Sequence, residues 1–373
     1  MNLPLPRAAR RVLAAMSLAV VSAVALSSTP GTNANNFARP FGDVRVLATV
    51  PSPNAMPEGI AVRGNRVYVS GPAAFGNAGN GEPSGVWEFD IATGALTNYF
   101  PAQGENLAQD HANSCIAFDG AGRLYVNNIQ LGVYRLDTTT GAQEIYSPKL
   151  PDLPACNPLT PVTPCSPTLA DVPVGALPND LAFDSAGNLY VTDSLQATVW
   201  RVPAGGGPAQ VWFQDARLDS PYIGTNGVRV DPTGARLFIT HSLDFTGTGR
   251  VYTLPLVEQP TAADLQTFHT YAPGDVPDGI AFGRSGNLYV AIATPFGSGV
   301  SILRPDGTES ARLKNPPISP VFPYDSPANI AFDKHGSLLV INHPFATMDP
   351  SHFTVLDVYV NDKEHSLIRP NVQ

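Results

Sequence analysis

The chain has 373 residues, of which 43% are hydrophobic and only 14% charged, with 33 Gly, 37 Pro and a formal net charge of -9. That length supports a large core in one domain or two, and the scarcity of helix-building Glu and Lys beside so many turn formers predicts many short strands. Outside the first dozen residues there is no Lys/Arg-rich run, which excludes a nucleic-acid or anionic-membrane surface and favours cations or neutral small molecules as partners.

Residues 1–34 read as a signal peptide. Arg7, Arg10 and Arg11 form a positive n-region, residues 12–26 are apolar apart from Ser17 and Ser22, and small residues follow. The apolar run is short for a spanning helix, although an uncleaved membrane anchor competes with this reading. Arg10-Arg11 hints at twin-arginine export, but the flanking residues match that signal poorly. Cleavage removes three Arg and no acid, which takes the net charge from -9 to -12. No second apolar segment is long enough to span a bilayer. The expectation is a secreted or periplasmic chain with no stable membrane insertion, a single domain over residues 35–373, and a monomer or small homo-oligomer.

From there the chain repeats one pattern. A polar residue or two precedes a strand of the type G-I-A-F, then a turn of the type D-x-x-G-N, then a strand of the type L-Y-V. Copies begin at Glu58, Ser114, Asn179, Asn226, Asp278 and Ala328, spaced 56, 65, 47, 52 and 50 residues apart. Second strands are VYVS, LYVN, LYVT, LFIT, LYVA and LLVI, and third strands begin at Gly85, Gly132, Thr198, Arg250, Gly299 and Phe353. LTNYF, QEIY, AQVWF and TFHTY supply fourth strands. Alternating apolar and polar residues, four strands to a unit and a period near fifty predict an all-β, six-bladed β-propeller. The last unit lacks a fourth strand of its own, and VRVLATV at residues 44–50 has no earlier partner. An N-terminal strand completing the last blade is therefore expected, which removes a free sheet edge.

The longest interval holds an insertion, residues 147–177, with Cys156 and Cys165 in CNPLTPVTPC. In an oxidising compartment the economical reading is a disulfide closing that loop, because no nearby His or Cys completes a metal set. Cys115, beside an apolar strand, reads as a buried small hydrophobe.

In a propeller the first strand of each blade lines the central channel, so the residues just before it ring one mouth: Glu58, Ser114, Asn179, Asn226, Asp278 and Ala328. Two carboxylates and two carboxamides on one axis form an all-oxygen set suited to a hard divalent cation, Ca²⁺ first, with Zn²⁺, Mg²⁺ and Mn²⁺ remaining open. Each of these residues alone is an ordinary turn former; the shared register is what singles them out. Second strands return to the same mouth and bring Asp193, His241 and His343 as proton-transfer candidates, each also readable as a hydrogen-bonded loop residue. Asp180 is either an orienter of Asn179 or a turn residue.

PEGIAV, LPNDLAFDSAGNLYVTDS, GTNGVRVDPTGARLFIT and VPDGIAFGRSGNLYVA together resemble the SMP-30/gluconolactonase/LRE-like family of six-bladed propellers, a group that also resembles paraoxonase-type lactonases. The likeness spans essentially the whole chain after the leader. It implies a divalent cation held by Glu58, Asn179, Asn226 and Asp278, hydrolysis of small-molecule lactones or related esters, and a role for Asp278 in activating water.

No G-x-S-x-G elbow, H-E-x-x-H or EF-hand loop occurs. GNAGNG at 76–81 lies between strands and does not open a helix, so it is no dinucleotide cradle. Two rivals stand beside the hydrolase: a non-catalytic propeller binding a small molecule or protein at its rim with a structural Ca²⁺, and a metal-free condensing enzyme of the strictosidine-synthase type, against which the oxygen ring counts.

Overall fold

The computed structural model describes residues 39–51, 56–73, 81–153, 176–294, 297–316, 323–345 and 347–372. The leader, Cys156, Cys165 and most of the 76–81 loop lie outside these. Residues 39–373 form one compact unit. Among the described residues there is no α-helix, and no helix is long and apolar enough to cross a membrane.

Six four-stranded antiparallel sheets succeed one another along the chain. The first blade comprises β2 (Gly59–Arg63), β3 (Arg66–Gly71), β4 (Gly85–Asp90) and β5 (Leu96–Pro101). The next four follow the same plan, beginning with the inner strands β6 (Asn113–Phe118), β10 (Pro178–Phe183), β14 (Thr225–Val230) and β18 (Pro277–Phe282). The sixth blade runs β22 (Pro327–Phe332), β23 (Ser337–Asn342) and β24 (Thr354–Tyr359), and β1 (Val44–Thr49) pairs antiparallel to β24 as its fourth strand. Inner strands abut one another in sequence, and β22 abuts β2, so the ring is closed.

Burial explains the strand order. All six residues of β10, β18 and β22 are buried, whereas fourth strands such as Leu96–Pro101 bury little. Apolar side chains of facing blades interleave: Val69, Trp87, Leu339 and Val355 pack together across the seam between the last blade and the first. Each fully buried Val or Leu there contributes about 1.5–3 kcal/mol, so closure is driven by these seams. Inner strands approach so closely that a Cβ on Gly227 would lie 2.5 Å from the Asp278 carbonyl oxygen, and only glycine fits.

The D-x-x-G turns are locked by their Asp. Tyr190 in β11 (Leu189–Asp193) donates to Asp184 Oδ2 at 3.2 Å, as Tyr125 in β7 (Leu124–Asn128) does to Asp119. In the fifth blade Gly283 stands at the Asp position. Asp362, from the segment after β24, accepts from Tyr289 at 3.0 Å and from Ser285 instead. That segment continues across the far end of the channel, where the Gly120 and His365 amides donate to Pro370 and Phe282 and Val372 is buried against the third blade.

Candidate functional site

Five of the six inner strands start with an irregularity, and β2 pairs regularly. Register shifts fall between Asn113 and Ile116, Pro178 and Leu181, Thr225 and Val228, and Pro277 and Ile280. Ser114, Asn179, Asn226 and Asp278 occupy those shifts, and such local departures from regular pairing re-aim side chains. Glu58 sits just before β2, its amide donating to the Ser70 carbonyl at 2.9 Å. All five, together with His343, line one cavity of about 460 Å³ at the mouth of the channel.

A second layer of bonds fixes this ring, and the sequence reading missed it. The last residue of four of the six second-strand motifs reaches into the next blade: Ser70 donates to the Ser114 carbonyl, Asn127 to that of Asn179 at 3.0 Å, Thr192 to that of Asn226 at 2.5 Å and Thr240 to that of Asp278 at 2.7 Å. The column S-N-T-T at the ends of VYVS, LYVN, LYVT and LFIT is the signal that could have revealed it; LYVA and LLVI end without a donor. Thr240→Val keeps the shape and deletes the donor to Asp278. We expect it to lower stability by about 1 kcal/mol and kcat/KM by about tenfold, read from urea midpoints and lactone kinetics.

Glu58, Asn179, Asn226 and Asp278 are buried. Burial, and after it the charge of Glu58, pushes the Asp278 carboxyl well above the usual carboxylate range, with a smaller contribution from Asp180. Asp278 Oδ1 and Asn226 Oδ1 are buried without a hydrogen bond of acceptable distance and angle, and the nearby Asn226 amide offsets the upward shift of Asp278 only in part. An unpartnered buried acceptor costs about 1–3 kcal/mol, and an all-oxygen set that repels itself is the chemistry a hard cation relieves. Among the described residues no three His, Cys, Asp or Glu side chains cluster as a metal site; two of the four oxygen donors here are carboxamides.

The proton-transfer candidates separate. His343 Nδ1 lies 2.5 Å from Glu58 Oε2, outside hydrogen-bonding angles, so this is a close contact and not an aligned bond. His241 is fully buried behind the wall, not on the cavity, with Nε2 at 3.0 Å from the Asp219 carbonyl, and burial lowers its pKa to about 4. Asp193 is spent on Trp200 Nε1, Gln196 Nε2 and the Leu177 and Leu195 amides. Asp180 lies one position below the ring and pairs with Arg229 Nη1 at 2.6 Å. Cys115 is buried and free, and burial, then Asp180, raises its thiol pKa well above the ordinary value. It is no thiolate nucleophile.

At the other end of the inner strands the channel ends in a small cavity of about 60 Å³ lined by Arg229 and closed by Glu364, Leu367, Ile368 and Arg369.

The family profile described as "SMP-30/Gluconolactonase/LRE-like region" matches residues 80–332. Among solved structures, a calcium-binding regucalcin from Agrobacterium tumefaciens superposes with TM-score 0.60 at 18% identity, covering 90% of this chain and 100% of that one. A luciferin-regenerating enzyme gives TM-score 0.57 at 14% identity, over 89% of this chain and 100% of that one. A gluconolactonase from Xanthomonas campestris gives 0.55 at 17%, over 85% and 89%. These likenesses establish the fold. A comparison with curated protein sequences returns no match.

Proposed function

This chain belongs to the SMP-30/gluconolactonase/LRE-like family, and from that premise we propose that it is an exported, divalent-metal-dependent hydrolase of lactones or related esters. The observation that carries the proposal is the pair of unpartnered buried oxygens, Asp278 Oδ1 and Asn226 Oδ1, on residues lining the same cavity as Glu58 and Asn179. Glu58, Asn179, Asn226 and Asp278 would hold the cation, Ca²⁺ by preference for an all-oxygen set. When bound, the cation supplies polarisation of the substrate carbonyl and charge stabilisation for the oxyanion.

The chain's own residues do the rest. Asp278 would accept a proton from the attacking water through its carboxylate, with His343, beside Glu58 on the cavity wall, as the alternative acceptor. The water oxygen bonds to the carbonyl carbon, the ring C–O bond breaks, and the accepted proton passes to the departing alkoxide to give a hydroxy acid. Thr240 and Thr192 hold the backbone of Asp278 and Asn226 while this happens. Export rests on the leader at 1–34, and with it an oxidised Cys156–Cys165 loop.

Chelation followed by add-back tests the reading. Removing divalent ions is expected to abolish hydrolysis across a panel of lactones and aryl esters, and Ca²⁺ to restore it. Activity indifferent to chelation contradicts the proposal. A tightly bound ion without any turnover favours the non-catalytic rim-binding alternative.

A further inference from the structure

We infer that this site takes an apolar lactone or ester, one carbonyl group on a hydrocarbon body, and discriminates against polyhydroxylated lactones. The carbonyl half of the inference rests on the hydrolase reading; the hydrocarbon half rests on the cavity wall.

A cavity of about 460 Å³ holds a small organic molecule. Its polar side chains gather largely on the floor, where the inner strands begin. Several of them are already engaged. Ser114 Oγ donates to the Pro178 carbonyl at 2.7 Å, and Ser242 Oγ donates to the Pro277 carbonyl and accepts from Asn226 Nδ2, both at 3.0 Å. Above the floor the wall is built from Met56, Ile129, Tyr222, Ile223, Leu243 and Phe345. Among the described lining residues there is no Lys or Arg, and the one histidine, His343, stands against Glu58.

Two features give this wall a direction. Tyr222 and Phe345 are 64% and 44% exposed, so large aromatic faces meet water at the edge of the cavity. A hydrocarbon body passing between the floor and these rings removes that area from water, whereas hydroxyls laid against them lose hydration without gaining partners. Each hydroxyl stranded in this way costs about tenfold in binding, while each buried methylene gains about fourfold. Ring substituents on the substrate therefore decide its rank.

The test compares substrates with the same six-membered ring: δ-valerolactone, δ-alkyl derivatives of increasing chain length, and glucono-δ-lactone, with purified protein and Ca²⁺. The expected result is a kcat/KM that rises about fourfold per methylene until the cavity is filled, with glucono-δ-lactone at least about tenfold below δ-valerolactone. The double variant Tyr222→Ser/Phe345→Ser, altered only at exposed side chains, is expected to flatten the rise with chain length. Glucono-δ-lactone turned over as well as the alkyl series, or no gain with chain length, overturns the inference and leaves the hydrolase reading standing. If no lactone is hydrolysed at all, the hydrolase reading fails. Calorimetric binding of the matching δ-alkyl lactams then decides the inference alone: affinity that climbs with chain length supports it, and a flat series overturns it.

Discussion

Asp278→Asn is expected to lower lactone kcat/KM by about 10³-fold or more, and in the absence of divalent ions to leave the protein at least as stable as the wild type. The two halves have one cause. Asp278 is buried beside Glu58, and its carboxyl is pushed well above the ordinary range by burial first and by that neighbouring charge second. Ionised and uncompensated, it opposes folding; a neutral carboxamide of the same shape removes the repulsion. With a cation present the balance reverses, because the ion stabilises whichever form binds it, by RT ln(1 + [L]/Kd). Loss of a positioned base costs 10²–10⁴-fold in rate, and a weakened cation site adds to that loss. Urea midpoints with chelator and with excess Ca²⁺, run beside kinetics, check both halves. A variant that loses activity but remains stabilised by Ca²⁺ like the wild type would separate Asp278 from the ion.

Arg229→Met is expected to destabilise the protein by about 3–5 kcal/mol, the cost of leaving a buried charge unpaired. Arg229 occupies a register at which the other five inner strands carry Ala61, Ala117, Ala182, Ala281 and Ala331. Its guanidinium reaches from Asp180 in the third blade to Asn329 in the sixth, and its partner Asp180 is fully buried. Asp180 Oδ2 accepts from Arg229 and from the Val228 amide, and Oδ1 accepts from the Leu181 amide, so the carboxylate is held from three sides. Removing the guanidinium leaves that carboxylate one residue from Asn179 with only backbone donors. The double variant Asp180→Asn/Arg229→Met is expected to recover most of the loss, since no charge is stranded. A lower urea midpoint at unchanged slope identifies the effect as stability rather than a changed unfolded state. Equal destabilisation in both variants would mean that packing, not charge, explains the effect.

Much of this architecture was legible because the propeller repeats. G-I-A-F, D-x-x-G and L-Y-V recur at one register, so the inner strands, the blade number and the ring at Glu58, Asn179, Asn226 and Asp278 could be read by alignment of the chain with itself. Residues outside the period were harder to read. The segment after β24 has neither strand alternation nor helical period, yet Asp362 supplies the turn carboxylate that Gly283 lacks and Glu364 to Arg369 close the far mouth. By sequence Arg229 is one polar residue among apolar neighbours, and only closure of the ring shows that it faces Asp180 rather than solvent. His241 and His343 both stand just after or at the end of second strands, but a shift of one or two residues decides which lines the cavity and which is buried behind it. Strand periodicity alone does not resolve that shift.

The most direct test of the central claim, that the ring formed by Glu58, Asn179, Asn226 and Asp278 holds one catalytic cation, is calorimetric titration of Ca²⁺ into chelator-treated protein, wild type beside Glu58→Gln. The account predicts a single saturable site in the wild type, weakened by about tenfold or more when the Glu58 charge is removed. No saturable site, or a site indifferent to Glu58→Gln, would contradict it.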